Sequence, residues 1–269
     1  MKATIWKQSL AVAAITFAAA GSAYAGDFTT ILNNGARTAG STNNPETDAF
    51  FIEGLPASWT LKNSVTTAVY SPVAGNTSQV VGSFVDSVWY ESATNSYIIG
   101  TYFQLTNDDY GITEINSILR TGFADYTGNL SAAWTYASDI YAGAEDGYRL
   151  RDPSRSDYIA SYNATTAGTG AYFDADKVAI RTDVSMGEDN PNSGLYLIKF
   201  SADNVVVEWT SNAVHIVQGA STNEGGRIRQ DMWLSGFAVT QVPEAETYAM
   251  FMAGLGLMGA VVRRRKMAD

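Results

Sequence analysis

Short runs of β-branched and aromatic residues recur along most of the chain, separated by segments rich in Gly, Asn, Asp, Ser and Thr. Such runs are typical of β-strands, and the polar segments between them are typical of turns. No long run repeats its apolar residues with the 3.6-residue period of an amphipathic helix. The pattern predicts strands at Gln79–Val88, Ser96–Leu105, Ile112–Leu119, Lys177–Asp183, Leu195–Ser201, Val205–Thr210, Ala213–Val217 and Ile228–Thr240.

The segments between these strands are predicted from their composition. Asn129–Ile140 is rich in Trp, Tyr and Ala and is compatible with either a strand or a short helix. Ala202–Asn204 and Ser211–Asn212 are short polar connectors of the kind that join hairpins. Gly35–Glu46 and Tyr141–Asp157 carry polar, charged and turn-forming residues, so both are predicted to be loops.

Many strands at short intervals predict a mainly β fold, with a β-sandwich or jelly-roll-like body. A parallel β-helix is the alternative, but the sequence has no fixed internal repeat to support it. No segment resembles a long interdomain linker, so residues 26–241 are predicted to form one β-rich body domain. Two shorter segments, 1–25 and 242–269, have a different composition and flank this body.

The N-terminal segment has the three parts of a signal peptide. Two lysines precede the apolar stretch Leu10–Ala20, and the small residues Ala23 and Ala25 occupy the positions that signal peptidase requires. Cleavage is therefore predicted before Gly26, with signal peptidase as the processing partner.

The C-terminal segment begins with Val242, Pro243 and Glu244 and continues through the uncharged, largely apolar stretch Thr247–Val262. As a helix, this stretch would span roughly 24 Å, which is at the low end for a transmembrane helix. The positive-inside rule places the basic cluster that follows in the cytoplasm and the body outside it. That cluster consists of Arg263, Arg264, Arg265 and Lys266. Both ends of the chain thus independently predict export.

The residues Val242 to Lys266, VPEAETYAMFMAGLGLMGAVVRRRK, resemble the PEP-CTERM sorting signal of Gram-negative bacteria. The family pattern is a Val-Pro-Glu-Pro-like motif, a glycine-containing hydrophobic helix and an arginine-rich end; Ala245 stands where the pattern has its second proline. The resemblance implies recognition by an exosortase, a membrane cysteine protease or transpeptidase, which would cut near Pro243 and Glu244. It also implies a precursor held transiently in the inner membrane, a mature form at the cell surface or outside the cell, and an association with exopolysaccharide and biofilm.

Composition excludes several function classes. The chain has 27 acidic and 17 basic residues. Three of the acidic and six of the basic residues lie in the terminal segments, which leaves the body with 24 acidic and 11 basic residues and a net charge of about −13. Such a body repels nucleic acid, which is therefore not an expected partner. The absence of cysteine excludes cysteine nucleophiles, zinc–thiolate sites, iron–sulfur clusters and disulfides.

The candidate catalytic and metal-binding residues are few. His215 is the only histidine and lies in a strand-like run, so a packed or surface role is expected rather than that of a catalytic base. Carboxylates in Asp174, Asp176, Asp108–Asp109 and Glu188–Asn190 could provide oxygen ligands for Ca²⁺, although none has EF-hand spacing. We expect no catalytic residue, no resident metal and no cofactor, with Ca²⁺ as the ion that these oxygens would suit.

Aromatic residues leave two interpretations open. The body tryptophans either fill a core between two sheets or form a stacking platform for sugars. The sequence therefore favours an exported, non-enzymatic surface or extracellular-matrix protein, with a carbohydrate-binding β-sandwich module and a carboxylate-based polysaccharide hydrolase as alternatives. The tryptophans concerned are Trp59, Trp89, Trp134, Trp209 and Trp233.

Overall fold

The computed structural model describes residues 27–34, 50–147, 151–156, 173–221, 227–242 and 249–258. Within these residues the body is built from β-strands and a 3₁₀ turn, Met186–Glu188. The strands are β1 (Thr29–Ile31), β2 (Trp59–Tyr70), β3 (Val80–Glu91), β4 (Ser96–Leu105), β5 (Glu114–Arg120), β6 (Leu130–Thr135), β7 (Arg151–Ser154), β8 (Val178–Ser185), β9 (Leu195–Ser201), β10 (Val205–Ser221) and β11 (Arg227–Gln241).

The strands form two antiparallel sheets. Sheet A has the order β1-β6-β9-β4-β3-β2, and sheet B has the order β11-β10-β5-β8-β7. The inward residues of both sheets meet in one apolar core, as two stacked sheets require. The predicted mainly β fold and sandwich-like body are therefore confirmed. Representative core residues are Phe84, Ile99 and Phe103 from sheet A and Ile118, Val214 and Ile216 from sheet B.

A second, smaller core covers the outer face of sheet A. Strand β3 directs Val85 and Trp89 outward, β4 directs Ile98 and Tyr102 outward, and the segment after β6 packs against them. Strands β3 and β4 are consequently buried on both faces. Two-sided burial explains why apolar residues occur at both odd- and even-numbered positions of these strands instead of alternating strictly with polar ones.

Most of the predicted strands are confirmed. Ser96–Leu105 and Leu195–Ser201 have the predicted bounds, and the other predicted strands overlap observed ones. One prediction of two strands was wrong, because Val205–Thr210 and Ala213–Val217 both belong to β10. Ser211–Asn212 is not a hairpin turn but an irregularity in the pairing with β11, where Asn212 adopts a positive φ of 57°.

The second predicted hairpin connector was also assigned wrongly. Ala202–Asn204 links β9 in sheet A to β10 in sheet B, so it joins the two layers instead of two paired strands. Asn129–Ile140 contains β6 followed by a turn, which resolves the choice between strand and helix. Within the predicted loop Tyr141–Asp157, residues Arg151–Ser154 form β7. Residues 35–46 lie outside the described part of the chain.

Strands β1, β2 and β7 were not predicted. Strand β2 lies at the edge of sheet A, and most of its residues are exposed, so its sequence is polar and lacks a clear apolar face. Strand β1 is only three residues long, and β7 contains Pro153, which occurs mainly in edge strands. The three missed strands are edge strands that are short or carry few buried apolar residues, whereas the edge strand β11 was predicted because it carries several, such as Leu234 and Phe237.

A buried ion pair connects the two sheets. Asp86 of β3 accepts hydrogen bonds from the Arg120 guanidinium of β5 and, at 2.7 Å, from the backbone N–H of Phe237 in β11. Arg120 also donates to the Phe237 carbonyl and to Thr101 Oγ1. A Cβ on Gly236 would lie 2.8 Å from Asp86 Oδ2, so this glycine permits the close approach between carboxylate and strand.

Candidate ligand-binding cleft and sorting segment

The structure separates the five body tryptophans into three environments. Trp89 and Trp134 are 4% and 2% exposed and belong to the cores. Trp209 and Trp233, in β10 and β11 of sheet B, are 39% and 48% exposed. Trp59 is half-buried at the start of β2 and lines a cleft. The core interpretation therefore holds for Trp89 and Trp134, whereas Trp59, Trp209 and Trp233 are accessible to solvent.

The cleft beside Trp59, which we call the Trp59 cleft, has a volume of about 360 Å³. Trp59 is paired with Glu91 across the β2–β3 ladder, so both side chains lie on the same face of sheet A. The ring of Phe28 lies 5.9 Å from the Trp59 ring, centroid to centroid, and tilted by 52°. Ile52 and Leu55 complete an apolar wall.

Charged groups occupy the other side of the Trp59 cleft. Lys199 Nζ, from β9, lies 2.6 Å from Glu91 Oε2 and 5.6 Å from the centroid of the Phe28 ring. Thr94 also donates a hydrogen bond to Glu91. Asp27 and Glu53 lie at the exposed margin, so the four charged side chains of the cleft carry a net charge of −2.

The ion pair sets the protonation state of Glu91. Burial raises the pKa of this carboxyl, but the hydrogen bonds from Lys199 and Thr94 and the charge of Lys199 outweigh that effect, so the pKa lies below its ordinary value. The Trp59 indole N–H lies close enough to lower the pKa slightly but completes no hydrogen bond. Glu91 is thus an ionised acceptor at neutral pH, and Lys199 is held in place by it.

A second cleft, of about 420 Å³, lies on the same face of sheet A and is lined largely by hydroxyl groups. Tyr141 Oη is 2.9 Å from Ser87 Oγ, which is 2.7 Å from Ser64 Oγ. The Tyr141 ring stacks on Tyr102 with centroids 6.1 Å apart. Burial raises the pKa of Tyr141, and the hydrogen bond to Ser87 offsets this rise only in part. The phenol therefore stays neutral. This cleft offers hydroxyl groups but no charged partner.

Two candidate carboxylates for Ca²⁺ are engaged within the protein. Asp176 Oδ1 accepts the backbone N–H groups of Gly122, Phe123 and Ala124 at 2.9, 3.1 and 3.2 Å. Asp174 accepts the backbone N–H of Asp176 at 2.9 Å and pairs with Lys177 at 3.0 Å. These acids organise the loop after β5 and the turn before β8.

The other acidic candidates lie in turns. The Asp109 backbone N–H is bonded to the side chain of Asn107, and the segment Glu188–Asn190 ends the 3₁₀ turn with Asp189 at a φ of 53°. Asn190 is buried and pairs with Ser185 through backbone hydrogen bonds. In the described ranges, no three His, Cys, Asp or Glu side chains are grouped closely enough to hold a metal ion.

His215 packs on the outer face of sheet B. Its ring stacks on Trp233 with centroids 4.1 Å apart and an interplanar angle of 8°, and Nε2 lies 3.3 Å from Asp231 Oδ2. The side chain is 6% exposed. A histidine packed against a cross-strand aromatic fits the predicted structural role.

The sorting segment is described only in part. Strand β11 ends at Gln241, and Val242 is 40% exposed with its backbone N–H bonded to the Asn204 carbonyl at 2.7 Å. Residues 249–258 are helical and exposed. Within the described residues, no helix is both long and apolar enough to cross a membrane. The other predicted processing residues lie outside the described residues: Ala23, Ala25, Gly26, Pro243, Glu244, Arg263, Arg264, Arg265 and Lys266.

Comparison with known families identifies this segment. Residues 241–266 match the family model of the PEP-CTERM protein-sorting motif. The chain carries a PEP-CTERM motif. The resemblance seen in the sequence is thereby confirmed, and the motif implies an exosortase as processing partner and export with membrane-associated sorting. No curated protein and no solved structure matches the chain.

Sequence reasoning missed the groups that surround Trp59. Phe28, Glu91 and Lys199 come from three distant parts of the chain. Sheet pairing places Glu91 near Lys199, and Phe28 reaches them from the segment before β1. The only local signal is the aromatic and charged character at the start of β2 and the end of β3. Likewise, no sequence pattern predicts the pairing of Asp86 with Arg120.

Proposed function

We propose that this protein is an exported, non-enzymatic surface or extracellular-matrix protein that an exosortase processes through its PEP-CTERM motif. The match at residues 241–266 carries the export and exosortase part of this proposal. The signal-peptide pattern in residues 1–25 supports the same route, because an exosortase substrate must first be exported.

The position of the motif suits processing of a folded body. The last strand among the described residues, β11, ends at Gln241, and the next residue, Val242, is exposed. Cleavage near Pro243 and Glu244 would therefore separate the tail without removing any strand of the sandwich. Signal peptidase would remove residues 1–25, and the apolar stretch would hold the precursor in the inner membrane until cleavage.

The expected role of the released body is physical. Its net charge of about −13 opposes self-association and binding to anionic polysaccharide until salt or Ca²⁺ screens the repulsion. Strands β2 and β11 lie at the edges of their sheets and are 12 and 15 residues long. Such edges favour strand pairing between copies when repulsion is screened, and exopolysaccharide is the proposed matrix partner.

Intact mass spectrometry of the native protein, with membrane and extracellular fractions measured separately, tests the sorting route. We expect an extracellular mass that starts at Gly26 and ends near Pro243 or Glu244, with added mass if the new C-terminus is transferred to a carrier. An extracellular form that retains Arg263 to Lys266 would contradict exosortase processing.

Two variants separate recognition from membrane anchoring. Deletion of residues 242–269 should abolish exosortase-dependent processing and leave a folded body, because every strand in the described part of the chain lies before Val242. Pro243→Ala with Glu244→Ala keeps the apolar stretch and the basic cluster, so the uncleaved precursor should accumulate in the membrane. If the cellular products of both variants have the same size and location as the product of the unmodified protein, the sorting proposal is overturned.

The non-enzymatic part of the proposal is checked by incubating the exported protein with matrix polysaccharide and measuring new reducing ends. No release is expected. Release that is lost on a single Asp→Asn or Glu→Gln substitution would instead establish the hydrolase alternative.

A further inference from the structure

We propose that the Trp59 cleft is a binding site for an uncharged saccharide. The proposal rests on the geometry of this cleft and not on the sorting route. Its lining combines an apolar wall, formed by Phe28, Leu55 and Trp59, with the fixed ion pair of Glu91 and Lys199. A ligand that suits both sides has one apolar face and several hydroxyl groups, which is the chemistry of a sugar ring.

Aromatic and polar groups contribute different parts of the recognition. The Trp59 ring offers a half-buried surface for the C–H face of a sugar. The Glu91 carboxylate accepts hydroxyl hydrogen bonds, and the Lys199 ammonium donates to hydroxyl oxygens. Because Lys199 is already positioned by Glu91 and the Phe28 ring, binding does not have to order a free lysine side chain.

Charge and size narrow the class of ligand. Asp27, Glu53 and Glu91 against Lys199 leave the lining negative, which disfavours phosphorylated sugars and uronic acids. A volume of about 360 Å³ is near the lower end of the roughly 300–1,000 Å³ range of small-molecule sites. The cleft thus suits a short neutral segment of a saccharide rather than a long chain buried along its length.

The test is calorimetric titration of the exported protein with neutral trisaccharides of glucose, galactose, mannose and N-acetylglucosamine, and with a galacturonic acid trimer as the anionic probe. We expect at least one neutral trimer to bind and the anionic trimer to bind more weakly. Trp59→Ala should weaken binding about ten-fold or more, because a central aromatic contact is lost.

Trp209→Ala is the matched control, since Trp209 is exposed in β10 of sheet B. It should leave the affinity unchanged. Glu91→Gln and Lys199→Met each keep the apolar wall and should weaken the neutral trimer several-fold, which covers the case in which Trp59→Ala misfolds. Failure of every neutral trimer to bind, stronger binding of the anionic trimer, or equal loss in Trp209→Ala would overturn the proposal.

Discussion

Two ion pairs on opposite faces of strand β3 show how position decides what a charged pair contributes. Asp86 and Arg120 lie between the sheets with side chains 0% and 2% exposed. Glu91 and Lys199 lie at the Trp59 cleft with side chains 13% and 23% exposed. The first pair has no contact with solvent, whereas the second can meet a ligand.

The surroundings of the two pairs differ as much as their exposure. Asp86 has both oxygens occupied, by Arg120 and Thr101 on one side and by the Phe237 N–H on the other. Arg120 in turn donates to Phe237 and Thr101. A closed network of this kind ties β3, β4, β5 and β11 together. An ion pair at a cleft instead supplies groups that another molecule can share.

The largest expected effect is from Asp86→Ala. Removing one partner leaves the Arg120 guanidinium buried and uncompensated, and the Phe237 N–H loses its acceptor. We expect a loss of about 3–5 kcal/mol in the free energy of unfolding, measured by urea denaturation.

A double variant, Asp86→Leu with Arg120→Met, sharpens this prediction. With both charges gone, no buried charge is left uncompensated, so the double variant should be more stable than Asp86→Ala. A double variant that is less stable would mean that the pair contributes through its net attraction and not chiefly through the cost of isolating one charge.

An intermediate effect is expected from Asp176→Ala. The Asp176 carboxylate binds backbone N–H groups instead of a cation. Three N–H groups, from Gly122 to Ala124, lose their acceptor. We expect a loss of about 1–3 kcal/mol in the free energy of unfolding. Asp176→Asn keeps one acceptor oxygen and is the matched control, with a smaller expected loss. Equal losses in the two variants would show that charge, and not hydrogen bonding, is responsible.

The smallest effect is expected from Glu91→Gln, which should change the free energy of unfolding by about 0–1 kcal/mol at neutral pH because the pair is partly exposed. The folded state lowers the pKa of Glu91 below its ordinary value of 4.5. This contribution to stability is therefore present above the unfolded pKa and is lost as the pH falls through the folded pKa.

The stability difference between Glu91→Gln and the unmodified protein should accordingly shrink as the pH is lowered below 4.5. Thermal unfolding over an acidic pH series measures it. A difference that grows on acidification would show that the folded state raises the pKa of Glu91, and the acceptor role assigned to this carboxylate would then be wrong.

Local composition predicted the strands whose residues are mostly buried. Strands β3, β4 and β9 are buried on one or both faces, and most of their residues are apolar. Strand β2 was missed because its sequence, WTLKNSVTTAVY, belongs to an exposed edge and has little apolar content to detect. The turn Ala202–Asn204 was predicted as a connector, but its crossing between sheets follows from strand order, which short-range patterns do not encode.

The candidate cleft could not be predicted for the same reason. Phe28, Trp59, Glu91 and Lys199 are far apart in the chain. The pairing of β2, β3, β4 and β9 in sheet A brings Trp59, Glu91 and Lys199 together, and Phe28 joins them from the segment before β1. The tryptophans illustrate the limit of composition. All are the same residue type, yet the Trp134 side chain is 2% exposed and that of Trp233 is 48% exposed. The strand and the sheet face on which each tryptophan lies decide its burial.

The sequence by itself determined the β-rich class of the body, its acidic charge and its PEP-CTERM motif, because composition, charge and short linear motifs depend only on neighbouring residues. Tertiary structure alone decided which carboxylates are buried against arginine, which organise loops and which line a cleft. The physical reason is that burial and ion pairing depend on long-range strand pairing, which brings together groups that are far apart in the chain. The Phe237 backbone N–H and the Asp86 carboxylate, for example, are 151 positions apart.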